Sequence, residues 1–161
     1  MITITDDAAV FTAAATAIAA VFVLLELRHM EKHRNLEISL KLFEWAETER
    51  LRKAFWWVEK QFSFEDFEKH RVEVQDKLEA SDYPDQVLAY FEEVGFLVSK
   101  KFIDIDVIAD RLGSDIVLNW RKLEPWILMM RKKRCDETFG EHFQILHKKT
   151  LKQIKARKST T

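Results

Sequence analysis

Ala8 to Leu25 form an eighteen-residue run with no charge, no proline and no glycine. A helix of that length rises about 27 Å, close to the hydrocarbon thickness of a bilayer. The flanks differ: Asp6 and Asp7 precede the run, and Arg28, His29, Lys32, His33 and Arg34 follow it. Lys and Arg collect on the cytoplasmic side of membrane spans. The expectation is a single-pass protein of the cell inner membrane with residues 1–7 as a short extracytoplasmic leader, 8–27 as the transmembrane helix, and the remainder in the cytoplasm. A cleavable signal peptide would need a basic segment ahead of the run, and Lys and Arg are missing there. Eight of the eighteen residues are alanine. Insertion is therefore marginal, and a buried helix of a soluble domain stays open as the rival. The lipid bilayer is the first expected partner, through Ala8–Leu25. Ala9, Ala13 and Ala17 repeat at four-residue spacing, as do Thr12, Thr16 and Ala20. Small residues so spaced let two helices approach closely in lipid, which raises a homodimer through Ala9, Ala13 and Ala17.

Past the run, about 130 residues are left, enough for one domain with its own core. Three glycines and two prolines give little turn material for a sheet and suit long helices. The single cysteine, Cys135, excludes an intramolecular disulfide and a cysteine-rich zinc site, and fits a reducing compartment. Net charge is −1 but uneven: residues 1–119 hold 14 Lys and Arg against 23 Asp and Glu, and residues 120–161 hold 12 against 4. The basic end has three candidate partners: the acidic part of its own domain, anionic lipid, or nucleic acid.

The apolar spacing predicts an all-α chain: the membrane helix extended as a juxtamembrane stalk over 28–44, a compact multi-helix domain over 45–157, and a tail at 158–161. Leu36, Leu40 and Phe43 continue the first helix to about residue 44. Leu51, Ala54, Phe55 and Val58 start a new stripe over about 47–61. Ser63, with Glu65 and Asp66 behind it, opens a helix expected to run to about Ala80. Ser81, Asp82 and Pro84 open another, with Val87, Phe91, Val94 and Val98 as its inner face. A short helix is expected from Asp104 to Gly113, with Ser114 capping the next. The stripe Ile116, Trp120, Leu123, Ile127 and Met130 holds phase through Pro125, which predicts a kink there and no break. The last helix is expected near Thr138, with Phe139, Phe143, Leu146 and Ile154 inward and Lys148 to Lys158 as its exposed end.

No catalytic, cofactor-binding or metal site is assigned. His29 and His33 share a helix face with Glu26 nearby, yet two histidines on one helix are an incomplete ligand set, and the zinc-protease order is absent. Glu92, Glu93, Asp104, Asp106, Asp110 and Asp115 lack the glycine and ligand spacing of a calcium loop and read as charged helix surface. Arg131, Lys132, Lys133 and Arg134 form a basic cluster; the aromatics that nucleic-acid binding would interleave with it sit on core stripes instead. Solvent or lipid headgroups suit the cluster better. Trp56 and Trp57 are adjacent, so both cannot face one core. Cys135 lies after that cluster, and its ordinary reading is a lone surface thiol. A glycine-rich phosphate loop, a nucleophile elbow and a cysteine–histidine pair are all missing.

Phe91-Glu92-Glu93-Val94-Gly95-Phe96-Leu97-Val98, Phe102-Ile103-Asp104, and Trp120 followed by Pro125 and Arg131 resemble a family of small, mostly bacterial proteins known only as a domain of unknown function. The resemblance implies one N-terminal membrane helix joined to a cytosolic helical domain, and implies no activity, substrate or cofactor. An internal ion pair between Arg131 and Glu92 is expected to fix the helix packing.

The leading function is a membrane-tethered, non-enzymatic interaction or scaffold module with a protein partner on its cytosolic face. The alternative is an effector or sensor of anionic lipid or nucleic acid working through residues 131–158. A second alternative is a metal-dependent enzyme using His29, His33, His142 or His147.

Overall fold

The structure, a computed structural model, describes residues 4–65 and 82–159. Five helices lie among them: α1 (Ile4–Ala46), α2 (Glu49–Lys60), α3 (Tyr83–Ser99), α4 (Ile105–Arg134) and α5 (Glu141–Lys158). None of the described residues is in a strand, as the all-α expectation requires. The chain divides into two compact units, Met1–Glu37 and Ile38–Thr161.

In the first unit α1 is exposed on every side from Thr12 to Met30. Ile18, Val21, Phe22, Val23, Leu24 and Leu25 each leave more than half of their surface uncovered. The helix is long and apolar enough to cross a membrane.

The second unit opens with the last turns of α1, where Ser39 and Leu42 are buried. The Tyr90 hydroxyl donates to the Leu42 carbonyl at 3.2 Å, and the Tyr90 ring meets Trp45 edge-on. The chain then turns through Thr48, whose hydroxyl donates to the Trp45 carbonyl, and α2 begins. Leu51, Ala54 and Val58 are buried, and Phe55 packs on Tyr90 and Phe91. The adjacent tryptophans part company: Trp57 packs on Phe62 and Tyr83, while Trp56 is 55% exposed. Phe64 and Glu65 are helical, and the rest of the helix expected after Ser63 lies outside the described residues.

α3 has Pro84 in its first turn and buries Val87, Phe91, Val94 and Val98, the face that the spacing demands. It closes with the Phe102 N–H donating to the Leu97 carbonyl at 2.9 Å and the Lys101 N–H to the Val98 carbonyl at 3.2 Å. This closure places Lys101 at φ 60°. α4 closes the same way on Cys135, at φ 51°. Glycine normally takes such positions, and a side chain there costs about 1 kcal/mol or slightly more.

Two expected boundaries are corrected. Gly113 does not end a helix and Ser114 does not cap one, because α4 runs unbroken from Ile105 to Arg134. Ile108, Leu112, Ile116 and Trp120 are all buried at four-residue spacing, so the apolar phase carries across Gly113 as it does across Pro125. Arg121, which loses its helical donor to the proline ring, is exposed, and water can take that carbonyl. The final helix begins at Glu141, after Thr138 and Phe139. Gly140 precedes it at φ 74°, a conformation open to glycine, and a Cβ there would meet Ile127 Cγ2 at 2.8 Å. α4 and α5 lie antiparallel: Arg157 pairs with Asp110 near the start of α4, and Arg131 reaches Gln144 near its end. Met130 and Ile154 are half-buried, whereas Phe143 and Leu146 are fully buried.

Candidate functional site

The densest gathering of sequence-selected residues surrounds the start of α5. It begins with Gly95, in the middle of α3. A Cβ built on Gly95 falls inside contact distance of the His142 backbone, with the carbonyl carbon at 2.6 Å and His142 Cβ at 3.2 Å. Two helix backbones come this close only where one lacks a side chain.

One turn before Gly95, Glu92 reaches across the crossing. Its Oε1 accepts the Phe143 N–H at 2.7 Å. Phe143 is the third residue of α5, where backbone N–H groups have no partner within the helix, and Gly140 has no side chain to supply one. A carboxylate from α3 therefore caps α5. Burial raises the Glu92 pKa above the usual carboxylate value; the Phe143 N–H, His142 and Arg131 offset only part of that.

Arg131 holds the other side of the same turn. It is buried, its Nε donates to the Phe139 carbonyl at 2.7 Å, and its Nη atoms donate to Gln144 Oε1 at 3.3 and 3.4 Å. The expected Arg131–Glu92 ion pair is not formed, because both side chains are turned onto backbone groups at the start of α5. They interact only at longer range, where Arg131 is a lesser influence on Glu92.

Phe143 is the hub of the packing. It stacks on Phe91 with centroids 4.6 Å apart and takes Trp120 edge-on at 5.1 Å. Trp120 in turn stacks on His147 at 5.5 Å, and burial lowers the His147 pKa. Phe91, Glu92, Gly95, Trp120 and Arg131, which the sequence resemblance singled out, thus all meet the segment Phe139–His147. Gly95 carried a readable signal, an isolated glycine inside a helical stripe. Gln144 and the Phe139 carbonyl carried none.

The other candidates do not converge. His29 and His33 stack on each other at 5.4 Å in the first unit. His142 lies against Phe96 with its Nδ1 buried and without a hydrogen-bond partner, while His147 faces Trp120. Among the described residues no group of three His, Cys, Asp or Glu could hold a metal. Glu93, Asp104, Asp106, Asp110 and Asp115 are exposed, and Cys135 is an exposed thiol. The basic cluster is split: Arg131 turns inward, Arg134 lies over the Phe139 ring at 4.6 Å, and Lys132 and Lys133 are exposed. The arrangement around Phe143 fixes one helix against two others and leaves Glu92 and Arg131 occupied by backbone.

Glu92 gives this clamp a pH dependence. A carboxyl whose folded pKa is raised binds its proton more tightly in the native state, so its contribution to stability grows as pH falls towards the unfolded value near 4.5. Wild-type protein is expected to gain stability relative to Glu92→Gln between pH 7 and pH 4.5. Thermal unfolding across that range checks this, and a difference that does not change with pH contradicts it.

No curated protein and no solved structure matches the chain. The sequence model of one family, described as Domain of unknown function (DUF4760), matches residues 10–150. That match takes in most of the apolar run of α1 and every residue of the clamp, and the chain belongs to the DUF4760 family.

Proposed function

We propose that the chain is a single-pass protein of the cell inner membrane, with its N-terminus outside, whose helical domain is a non-enzymatic cytosolic interaction module. The bare apolar surface of α1 carries the membrane part of this reading. A core helix of a soluble protein would be covered, and none of the apolar window here is buried. Thr16 supports it too: its hydroxyl donates to the Thr12 carbonyl at 2.8 Å, which satisfies a polar group without water. Arg28, Lys32 and Arg34 on one flank, against Asp6 and Asp7 on the other, support the orientation. Within the bilayer, the spacing of Ala9, Ala13 and Ala17 offers a face for pairing two copies.

The interaction part rests on α2. Trp56 is 55% exposed and, with Arg52, Lys53 and Phe55, lines an open groove of about 530 Å³. A tryptophan left in water beside an arginine is the composition that dominates protein interfaces.

Cys135 is an exposed thiol and reports the side on which the domain lies. A membrane-impermeant maleimide on spheroplasts is expected to label Thr5→Cys in a Cys135→Ser background and to spare Cys135 in wild type until the membrane is opened. Labelling of Cys135 in closed spheroplasts, or recovery of the protein in the soluble fraction, contradicts the reading. A photo-crosslinking residue replacing Trp56 is expected to give a discrete adduct in intact membranes, and the same residue replacing Lys133 to give none. Equal yields at both positions contradict a docking role for α2.

A further inference from the structure

Lys101, Lys149 and Lys152 line one open groove of about 450 Å³, although the first two are 48 positions apart in sequence. Lys149 and Lys152 are three apart on α5, so they share a helix face. Lys101 stands in the turn that closes α3. Val98 and Ile103, both buried, and Ile105 supply an apolar floor. Asp104 is the groove's one acid, which leaves a balance of two positive charges.

Two features give this groove a positive potential: its lysines lack acidic partners among the described residues, and a helix starts on it. On the same domain Lys53 pairs with Glu49, Arg111 with Glu47 and Arg157 with Asp110. Among the described residues no carboxylate pairs with Lys101, Lys149 or Lys152, so the groove holds like charges together without compensation. Lys101 sits at φ 60°, a position glycine would take with less strain. α4 also starts on the groove, at Ile105, and its positive end adds to the same potential.

We infer that this groove binds a phosphomonoester, supplied free or on a lipid headgroup. The ligand's charge, close to −2 at neutral pH, matches the net charge of the lining. The apolar floor excludes water from one side and strengthens each ammonium–phosphate contact. Lys132 and Lys133, at the far end of α4, have no part in the site.

Amine-acylation footprinting read by mass spectrometry tests this on the full chain. One arm adds inorganic phosphate to detergent-solubilised protein against chloride at matched ionic strength. The other compares nanodiscs of phosphatidylcholine with nanodiscs containing phosphatidic acid. Acylation of Lys101, Lys149 and Lys152 is expected to slow about fivefold, the protection given by a site four-fifths occupied, while Lys132 and Lys133 keep their rates. Protection in the phosphate arm alone identifies a soluble ligand, and protection by phosphatidic acid identifies a headgroup. The phosphate arm needs no bilayer, so it stands even where the membrane reading fails. Lys101→Gly relieves the backbone strain and keeps the fold, and it is expected to abolish protection of Lys149 and Lys152. No protection in either arm, equal protection at Lys132 and Lys133, or full protection in Lys101→Gly overturns the inference.

Discussion

The domain depends on how closely α3 and α5 approach at Gly95. With no Cβ in the way, the His142 backbone comes into direct contact with α3. That approach brings Phe143 onto the Phe91 ring and puts its N–H within reach of Glu92. Trp120 and Arg131 then close on the same turn from α4. α5 is held at its N-terminal end by two helices that meet it from different directions.

Glu92 shows what such contacts contribute. Burial raises its pKa, so taking the carboxylate out of water costs more than the Phe143 N–H and nearby positive charge return. The bond's value lies in placement. Phe143 would lose its capping partner if α5 slid along α3, and an unsatisfied buried N–H costs about 1–3 kcal/mol. Arg131 holds the same turn from α4, its guanidinium donating to the Phe139 carbonyl and to Gln144. Charged groups placed in this way set the register of packed helices, while Phe91, Phe143 and Trp120 supply the burial.

Much of this was legible in the sequence, and the failures have physical causes. The inner faces of α2, α3 and α4 follow from helical spacing, because burial of one stripe repeats every three or four residues. Gly113 misled because glycine breaks helices on average; the unbroken spacing from Ile108 to Trp120 was the stronger signal. Arg131 and Glu92 were legible as important and illegible as partners. Opposite charges suggest an ion pair, but a helix start offers unpaired backbone groups that compete for both, and spacing does not say which side chain reaches them. Lys101 joined Lys149 and Lys152 only through the fold, since no local pattern links a turn after α3 to the middle of α5. Trp56 and Trp57 were correctly separated by geometry alone.

The central claim is that a missing side chain at Gly95 lets the helices meet, and comparing two alanine substitutions tests it most directly. Inside a helix, Gly→Ala is worth about 0.5–1 kcal/mol in favour of folding. At Gly113 the new methyl meets Thr150 and Ile154 side chains at an ordinary 3.7 Å, so Gly113→Ala should raise the thermal midpoint of the detergent-solubilised chain. At Gly95 the same methyl meets backbone, so Gly95→Ala should lower it, with a loss of about 1–3 kcal/mol from overpacking. Opposite signs support the account. A Gly95→Ala protein as stable as wild type, or more stable, contradicts it.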